Sequence, residues 1–351
     1  MNTRHESFAD IPRLANEIRA AIVSAERFII VTHARVDADA VGAAVGLLHF
    51  ARAAGAEPQA VRAGDFRVPP TLEFVDAGHL LTCEELDPIV DADLVVFVDC
   101  ADENRAGEVS RALSRRETSY RTINIDHHVT NTRFADINLI VPEAAATCEI
   151  IVHLYEACGI KLEPEVATAL LAGTYGDTLG LKTPSTTPAT MRACADLYEA
   201  GAYLDLIVDK LFRKKPMSTV HLWGEVQARA AWQGRLVWSI VTDDMLERSG
   251  AKPSETEGLV NFLAGVEGAF AATLIQEAPE GWRVSLRSTT SAVDVSQLAG
   301  HFGGGGHPRA AGCRLDHGRE AVDEFLTFIA AELDKLPADA GSRPAYAAHA
   351  G

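Results

Sequence analysis

No C-x-x-C spacing and no paired pattern occurs among the six cysteines, at positions 83, 100, 148, 158, 194 and 313. That argues against a thiolate zinc site and a disulfide framework, and it predicts reduced thiols in a cytoplasmic protein. Also missing is any apolar run of the roughly 18 residues that a membrane helix needs, so no contact with a membrane is expected. The polar opening segment Met1–Asp10 contains no apolar signal core. Positive charge is scarce: 32 Lys and Arg face 49 Asp and Glu, a formal net charge of −17. A basic groove gripping long DNA or RNA is therefore disfavoured. A short anionic ligand remains compatible with local cations and a few arginines.

What is present is ordinary in bulk and unusual in placement. With 47% hydrophobic and 23% charged residues over 351 positions, the chain has the composition and length of two globular domains. Ile11, Leu14, Ile18, Ile22 and Val23 recur at helical spacing, predicting an amphipathic helix over 11–25. A strand over 28–32 and a small-residue helix over 38–54 follow. Strand and helix signals then alternate to about residue 180, the pattern of a parallel sheet with helical crossovers. Thr147 reads as a helix N-cap before Glu149 and Ile150, and a helix over 165–171 leads through Gly173 and Gly176 to Asp177. Residues 189–212 read as one helix, which Arg213-Lys214-Lys215-Pro216 ends as a solvated basic tip.

Three apolar strands of the first half end in side chains that bind metals. Phe28-Ile29-Ile30-Val31 runs into Thr32, His33, Asp37 and Asp39; Leu94–Val98 runs into Asp99; Thr122–Ile125 runs into Asp126-His127-His128. Such groups are costly to bury unpaired, and the C-terminal edge of an open α/β sheet is where ligands bind. With Asp177, the set His33, Asp37, Asp39, Asp99 and His127 offers two imidazoles and four carboxylates. Four carboxylates in one pocket repel unless cations hold them, and two divalent ions balance their charge. Oxygen and imidazole donors without thiolate suit Mn²⁺, with Mg²⁺, Co²⁺ or Fe²⁺ as alternatives. Asp99 is the candidate bridging carboxylate. His128 is the candidate to face a substrate and donate a proton, and Asp126 either shares that catalytic work or orients an imidazole. Two ions about 3.5–4 Å apart suit hydrolysis at phosphorus.

The second half changes texture to short strands, over 236–241, 269–276 and 282–288, with a hairpin turn at Pro279-Glu280-Gly281. Arg287 ends the last of these, where a guanidinium can fork onto a terminal phosphate. After a predicted helix over 295–302 come four consecutive glycines and His307. Gly304, Gly305 and Gly306 are expected to form an anion-binding nest, with His307 bonding a phosphate or sugar edge.

His33-x3-Asp37-x-Asp39-Ala40 with Gly42, then Asp99, then Asp126-His127-His128 with Asn131, then Gly176-Asp177-Thr178, resembles the DHH phosphoesterase superfamily. Gly303-Gly304-Gly305-Gly306-His307-Pro308 with Ala310-Ala311-Gly312 is similar to the glycine-rich motif of the associated DHHA1 domain. The resemblance spans about residues 10–335, and the absence of additional domains makes it most similar to the nanoRNase and pAp phosphatase branch. It implies an α/β fold: a parallel-sheet DHH catalytic domain plus a smaller α/β DHHA1 domain, with the metal site in the interdomain cleft. The expected bounds are 10–188 for the catalytic domain, 189–221 for a helical linker, 222–335 for the substrate-binding domain and 336–351 for a disordered tail. Residue by residue, the resemblance assigns His33, Asp37, Asp39, Asp99, His127 and Asp177 as metal ligands. It raises Arg287 and His307 as substrate contacts, beside the expected contacts Gly304, Gly305, Gly306 and Asn131, with Ser288 and Asn261 as weaker candidates. One departure stands out, Thr174-Tyr175-Gly176 in place of a Gly-Ile-x sequence before the aspartate.

The activity implied is a Mn²⁺-dependent phosphohydrolase acting on short oligoribonucleotides, 3′-phosphoadenosine 5′-phosphate (pAp), or both, in a homodimer. A rival keeps the chemistry and takes cyclic di-AMP or linear pApA. An inorganic pyrophosphatase is disfavoured by the GGGGH motif, and a long single-strand exonuclease by size and charge. From a different class comes a non-catalytic nucleotide-binding module, against which the intact set of ligand-type residues speaks.

Overall fold

The structure, a computed structural model, describes residues 6–34, 36–57, 60–62, 68–75, 80–81, 91–115, 119–337 and 340. Contacts divide the chain into two units, Met1–Lys214 and Lys215–Gly351. Of the predicted disordered tail, all but Leu336, Pro337 and Ala340 lies outside the described residues. Among the described residues no helix is long and apolar enough to cross a membrane.

The first unit is built on six strands: β1 Phe28–Val31, β2 Ala60–Arg62, β3 Leu80–Leu81, β4 Leu94–Val98, β5 Arg121–Asp126 and β6 Ile137–Ile140. All pair in parallel, in the order β3-β2-β1-β4-β5-β6. β1 and β4 are buried at every position, as strands covered on both faces must be. One face packs on the helices Ile11–Ser24, Ala38–Ala53, Thr147–Ala157 and Pro164–Asp177. The other face packs on the helix Glu108–Leu113. From β1 the chain winds outward to β3, then returns to the other side of β1 and winds outward to β6. The direction of winding thus reverses between β1 and β4, the place where open α/β sheets open a crevice at their strand ends.

Two glycine-lined helices set the geometry below that crevice. A Cβ on Gly42 would lie 2.5 Å from the Ala169 carbonyl oxygen, and one on Gly176 would lie 2.6 Å from Ala38 Cβ. The helices Ala38–Ala53 and Pro164–Asp177 therefore meet almost backbone to backbone. The sequence-based helix over 165–171 is too short: it continues through Gly173 and Gly176, so Asp177 sits on its last turn. Packing against Ala38 and Asp39 overrides the low helix propensity of glycine. The helix expected over 189–212 is instead broken: Pro188–Glu199 ends before Gly201, which has φ +100, and a short helix Leu204–Val208 follows.

The second unit has a mixed sheet of β7 Ala231–Gln233, β8 Leu236–Val241, β9 Ala271–Ala278, β10 Gly281–Ser288, β11 Gly305–His307 and β12 Ala310–Leu315. Their order is β11-β12-β10-β9-β8-β7, with only β8 and β9 parallel. Helices Val295–Gly300 and Arg319–Asp334 pack toward one apolar cluster, and Met217–Ala228, Asp243–Ser249 and Leu259–Leu263 toward another. The last two glycines of the run, Gly305 and Gly306, are paired in the edge strand β11.

Candidate metal centre

Each ligand-type residue is delivered by a strand end or a helix end. His33 follows β1 and is buried, with Nε2 3.4 Å from Asp99 Oδ2 and 3.6 Å from Asp37 Oδ2. Asp37 also caps the next helix, accepting the Ala40 N–H at 3.0 Å. Asp99 follows β4 with φ 56, a left-handed backbone that Asp tolerates better than most residues. Its Oδ1 accepts the Thr147 hydroxyl at 3.1 Å and lies 3.8 Å from His127 Nε2. His127 Nε2 is also 3.2 Å from Asp177 Oδ2 and 3.9 Å from Asp39 Oδ2.

Three overlapping groups result: His33, Asp37 and Asp99; Asp39, His127 and Asp177; and Asp99, Asp126, His127 and His128. Within each group the ligand atoms lie within 4.8 Å of one another. Asp99 and His127 each belong to two of the groups. All of these residues lie in the first unit, on the crevice side of the sheet.

The electrostatics are those of a site short of positive charge. Burial, with the nearby Asp99 and Asp177 carboxylates, pushes Asp39 well above the usual carboxylate range. Asp177 is raised by burial, with the His127 bond opposing and Asp37 adding to the rise. Burial opposes charge on His33, yet Asp37 and Asp99 more than offset it and push His33 up to about 10. His127 is likewise held well above its usual value by Asp177, Asp39 and Asp99 against the effect of burial. Asp99 ends below the usual range because His33, His127 and His128 outweigh its burial. Four carboxylates and two imidazoles, with no thiolate, thus converge where additional cationic charge is called for. The donor set fits a divalent-cation site.

Behind these residues lies a layer that orients them. Asp126 is wholly buried; its Oδ1 accepts the His127 N–H at 2.9 Å and bonds His128 Nδ1 at 2.7 Å, while Oδ2 accepts from Asn131 Nδ2 at 2.6 Å. Burial raises its carboxyl, but these bonds and the nearby His127 hold it below the usual range, so it is charged and His128 carries its proton on Nδ1. Of the two roles open to Asp126, this geometry favours orienting an imidazole. Asn131, expected at the substrate, is also redirected. It is buried, with Nδ2 on Asp126 and the Cys100 carbonyl and Oδ1 accepting the Arg133 N–H at 2.7 Å. Thr147 is not the N-cap of its helix; Ala146 is. The Asp39 carboxylate takes over that role from another helix, accepting the Thr147 and Cys148 N–H groups at 2.6 and 2.9 Å. The sequence signal for that contact was present, a Thr at a helix start, but its partner was not readable.

In the second unit, Arg287 on β10 and His307 on β11 both pair with Ala310 of β12, so the three form one row across the sheet. Directly opposite residues share a face, and the small Ala310 leaves a slot between the two longer side chains. Arg287 Nε donates to Asn261 Oδ1 at 2.7 Å and Nη1 to the Leu286 carbonyl at 2.9 Å. No carboxylate pairs with it among the described residues, and burial lowers its guanidinium below the usual value. Ser288 falls on the opposite face, buried, with Oγ donating to the Thr290 carbonyl at 2.6 Å. That placement separates Ser288 from the Arg287 row. Gly304, Gly305 and Gly306 lie beside β12, where a Cβ on Gly304 would meet the Gly312 carbonyl oxygen at 2.2 Å. Gly305, Gly306 and His307 are exposed.

Fold and site together define a two-unit α/β protein whose parallel sheet carries an acid–imidazole candidate metal centre at its strand ends. The chain belongs to the DHH family: residues 27–174 match the DHH family N-terminal domain and residues 235–335 match the DHHA1 domain. It is 31% identical over 327 residues to the bifunctional oligoribonuclease and PAP phosphatase NrnA of Thermus thermophilus, covering 90% of this chain and 94% of that one. Against the protein of the same name from Bacillus subtilis it is 26% identical, covering 90% and 97%. Among solved structures, an exopolyphosphatase-related protein from Bacteroides fragilis shares the fold, with a TM-score of 0.85 at 23% identity over 92% of this chain and 98% of that one.

Proposed function

We propose that this chain is a metal-dependent phosphohydrolase acting on short oligoribonucleotides and on pAp. Under this reading His33, Asp37, Asp39, Asp99, His127 and Asp177 hold two divalent ions, Mn²⁺ foremost. The observation that carries it is the sharing of Asp99 and His127 among overlapping ligand groups at the sheet's switch point. Similarity to NrnA over nearly the whole chain supports the choice of substrate class.

When bound, the ions supply an ionised water near neutral pH and positive charge against the phosphoryl oxygens. The protein's own groups do the rest. Asp126 accepts a hydrogen bond from His128 Nδ1 and fixes that ring; in its doubly protonated form His128 donates the Nε2 proton to the leaving oxygen. Arg287 and His307 take a phosphate and the neighbouring nucleotide edge across Ala310, with the Gly304–Gly306 backbone beside them. This reading extends to a cytoplasmic homodimer. It keeps 10–188, 189–221 and 222–335 as catalytic, linking and substrate-reading segments. The formal net charge of −17 accords with short substrates over long strands.

The test is a panel with purified protein and Mn²⁺: pAp, a diribonucleotide, an oligomer of about ten or more nucleotides, cyclic di-AMP and pyrophosphate. Rapid turnover of the first two and poor turnover of the long oligomer are expected. Equal rates on the short and long chains would remove the length limit. No hydrolysis of any member overturns the reading and favours a nucleotide-binding module.

A further inference from the structure

The turn that seats the proposed ligands is itself held by a residue outside the ligand set. Residues 144–148 lie between β6 and the body of the helix Thr147–Ala157, and they touch three of the six proposed ligands. The Ala144 carbonyl stands 3.3 Å from His127 Nδ1, and the Thr147 hydroxyl donates to Asp99 at 3.1 Å. The N–H groups of Thr147 and Cys148 fix both oxygens of Asp39.

Glu149, one residue further on, is wholly buried. Its Oε2 accepts the Ala145 N–H at 2.8 Å and the Thr190 hydroxyl at 3.0 Å. Thr190 Oγ1 in turn accepts the Thr187 N–H at 3.1 Å, at the start of the helix Pro188–Glu199. The other oxygen, Oε1, is buried without a hydrogen-bond partner among the described residues. A half-satisfied buried carboxylate is expensive, and an apolar side chain of similar length would fill the position without that cost. The cost is matched by what the group does locally. It ties the 144–148 turn to a helix start from a distant part of the chain.

We propose that Glu149 is a positioning residue of the metal centre, fixing the 144–148 turn and through it the orientation of Asp39, Asp99 and His127. This rests on the metal reading above. The Ala144 carbonyl selects the His127 tautomer with the proton on Nδ1, so Nε2 keeps its lone pair for an ion. The two N–H donors aim the Asp39 carboxylate. Releasing Ala145 and Thr190 from Glu149 lets the turn move, and three ligands move with it.

The test titrates Mn²⁺ into the full chain and into Glu149→Ala, Glu149→Gln and Thr190→Val, following free Mn²⁺ by electron paramagnetic resonance, with melting curves of the metal-free proteins alongside. Outer partners of metal ligands typically govern affinity by about 10–100-fold, and a loss of that order is expected for Glu149→Ala. The Gln variant, whose carbonyl oxygen accepts the same two donors, should recover most of it. A folded Glu149→Ala protein with unchanged Mn²⁺ affinity overturns the proposal, and so does a Gln variant as weak as Ala. Where the Ala variant fails to fold, Thr190→Val decides: a severalfold loss supports positioning, and unchanged affinity refutes it. Should the unaltered protein bind no Mn²⁺, the metal reading itself fails, an outcome distinct from these.

Discussion

His127 Nε2 stands 3.2 Å from Asp177 Oδ2, joining the end of β5 to the last turn of the helix Pro164–Asp177. That contact brings together two parts of the chain that share no local sequence, and it closes the group containing Asp39. If the group holds an ion, removing either partner should cost several kcal/mol of transition-state stabilisation. His127→Ala and Asp99→Ala are each expected to lower turnover of the preferred substrate by at least about 10³-fold, by the conversion of roughly 1.4 kcal/mol per factor of ten. Turnover that survives both changes refutes the assigned site.

Metal removal should also be visible without any substrate. An ion that binds only the folded form at 100 times its Kd adds about 2.7 kcal/mol of stability. Chelation is therefore expected to lower the melting temperature by several degrees, the more so because Asp39 and Asp177 then face other carboxylates with less compensation. A melting curve that ignores chelator, with metal loss verified by elemental analysis, contradicts this.

The centre was legible where chemistry sits at the end of a local pattern. Phe28–Val31 and Leu94–Val98 are short apolar runs, and a buried strand of that kind must emerge at a sheet edge, so His33 and Asp99 could be placed from sequence alone. What could not be read are the hydrogen bonds that buried polar groups find. Asn131 closes on Asp126, and Thr147 gives its hydroxyl to Asp99 in place of capping its own helix. Such choices depend on which backbone groups the tertiary fold delivers. Asp177 was named as a ligand, but its place on the helix was missed for a related reason, since two glycines argue for a turn until a neighbouring helix requires the close approach they permit.

That close approach carries a prediction of its own. A Cβ on Gly173 would lie 2.3 Å from Cys148 Sγ and 3.1 Å from both the Ala38 oxygen and Asp39 Cα. Gly173→Ala gains helix propensity but overpacks a contact with the Cys148 sulfur and the Ala38–Asp39 backbone, at a cost of about 1–3 kcal/mol. Because Cys148, whose N–H holds Asp39, and the Asp39 backbone are both pushed, Mn²⁺ affinity should fall together with the melting temperature. Chemical denaturation and a Mn²⁺ titration on one preparation check both. A stabilised variant with unaltered affinity shows the interface to be looser than drawn.

Glu6 provides a pH test on a group outside the ligand set, beside Ile140, the β6 partner of Asp126. Arg133 forks onto its carboxylate, Nη1 donating to Oε2 at 2.7 Å and Nη2 to Oε1, and the Ile140 N–H adds a bond at 3.2 Å. Burial pushes this carboxyl up, but Arg133 and the backbone donors pull it further down, to below its usual value. A group depressed in the folded state stabilises above its unfolded pKa, about 4.3 for Glu, and loses that stabilisation as pH falls through the folded value. Partial exposure limits the effect to about 1 kcal/mol or less. Glu6→Gln should therefore melt slightly lower than the unaltered chain at pH 7, with the gap closing below about pH 4. A gap that widens toward acid pH has the wrong sign for this pair.

Arg287 separates binding from chemistry. Its guanidinium is largely buried, steadied by Asn261 at Nε and by the Leu286 carbonyl at Nη1, and no carboxylate neutralises it among the described residues. A desolvated cation without a counter-ion is costly unless a ligand supplies the anion, and the fork geometry favours phosphate. It lies in the second unit, whereas all six proposed ligands lie in the first. Arg287→Ala should thus leave Mn²⁺ affinity intact while raising KM for pAp or a diribonucleotide, by about 10-fold or more for a lost charge-assisted pair of about 1.5–3 kcal/mol. Arg287→Lys should recover only part of that, since an ammonium keeps the charge and loses the fork. Asn261→Ala, which releases Nε, is expected to fall between the unaltered chain and Arg287→Ala. An unchanged KM in Arg287→Ala removes the residue from the substrate site, and a fall in Mn²⁺ affinity in the same variant ties it to the metal centre instead.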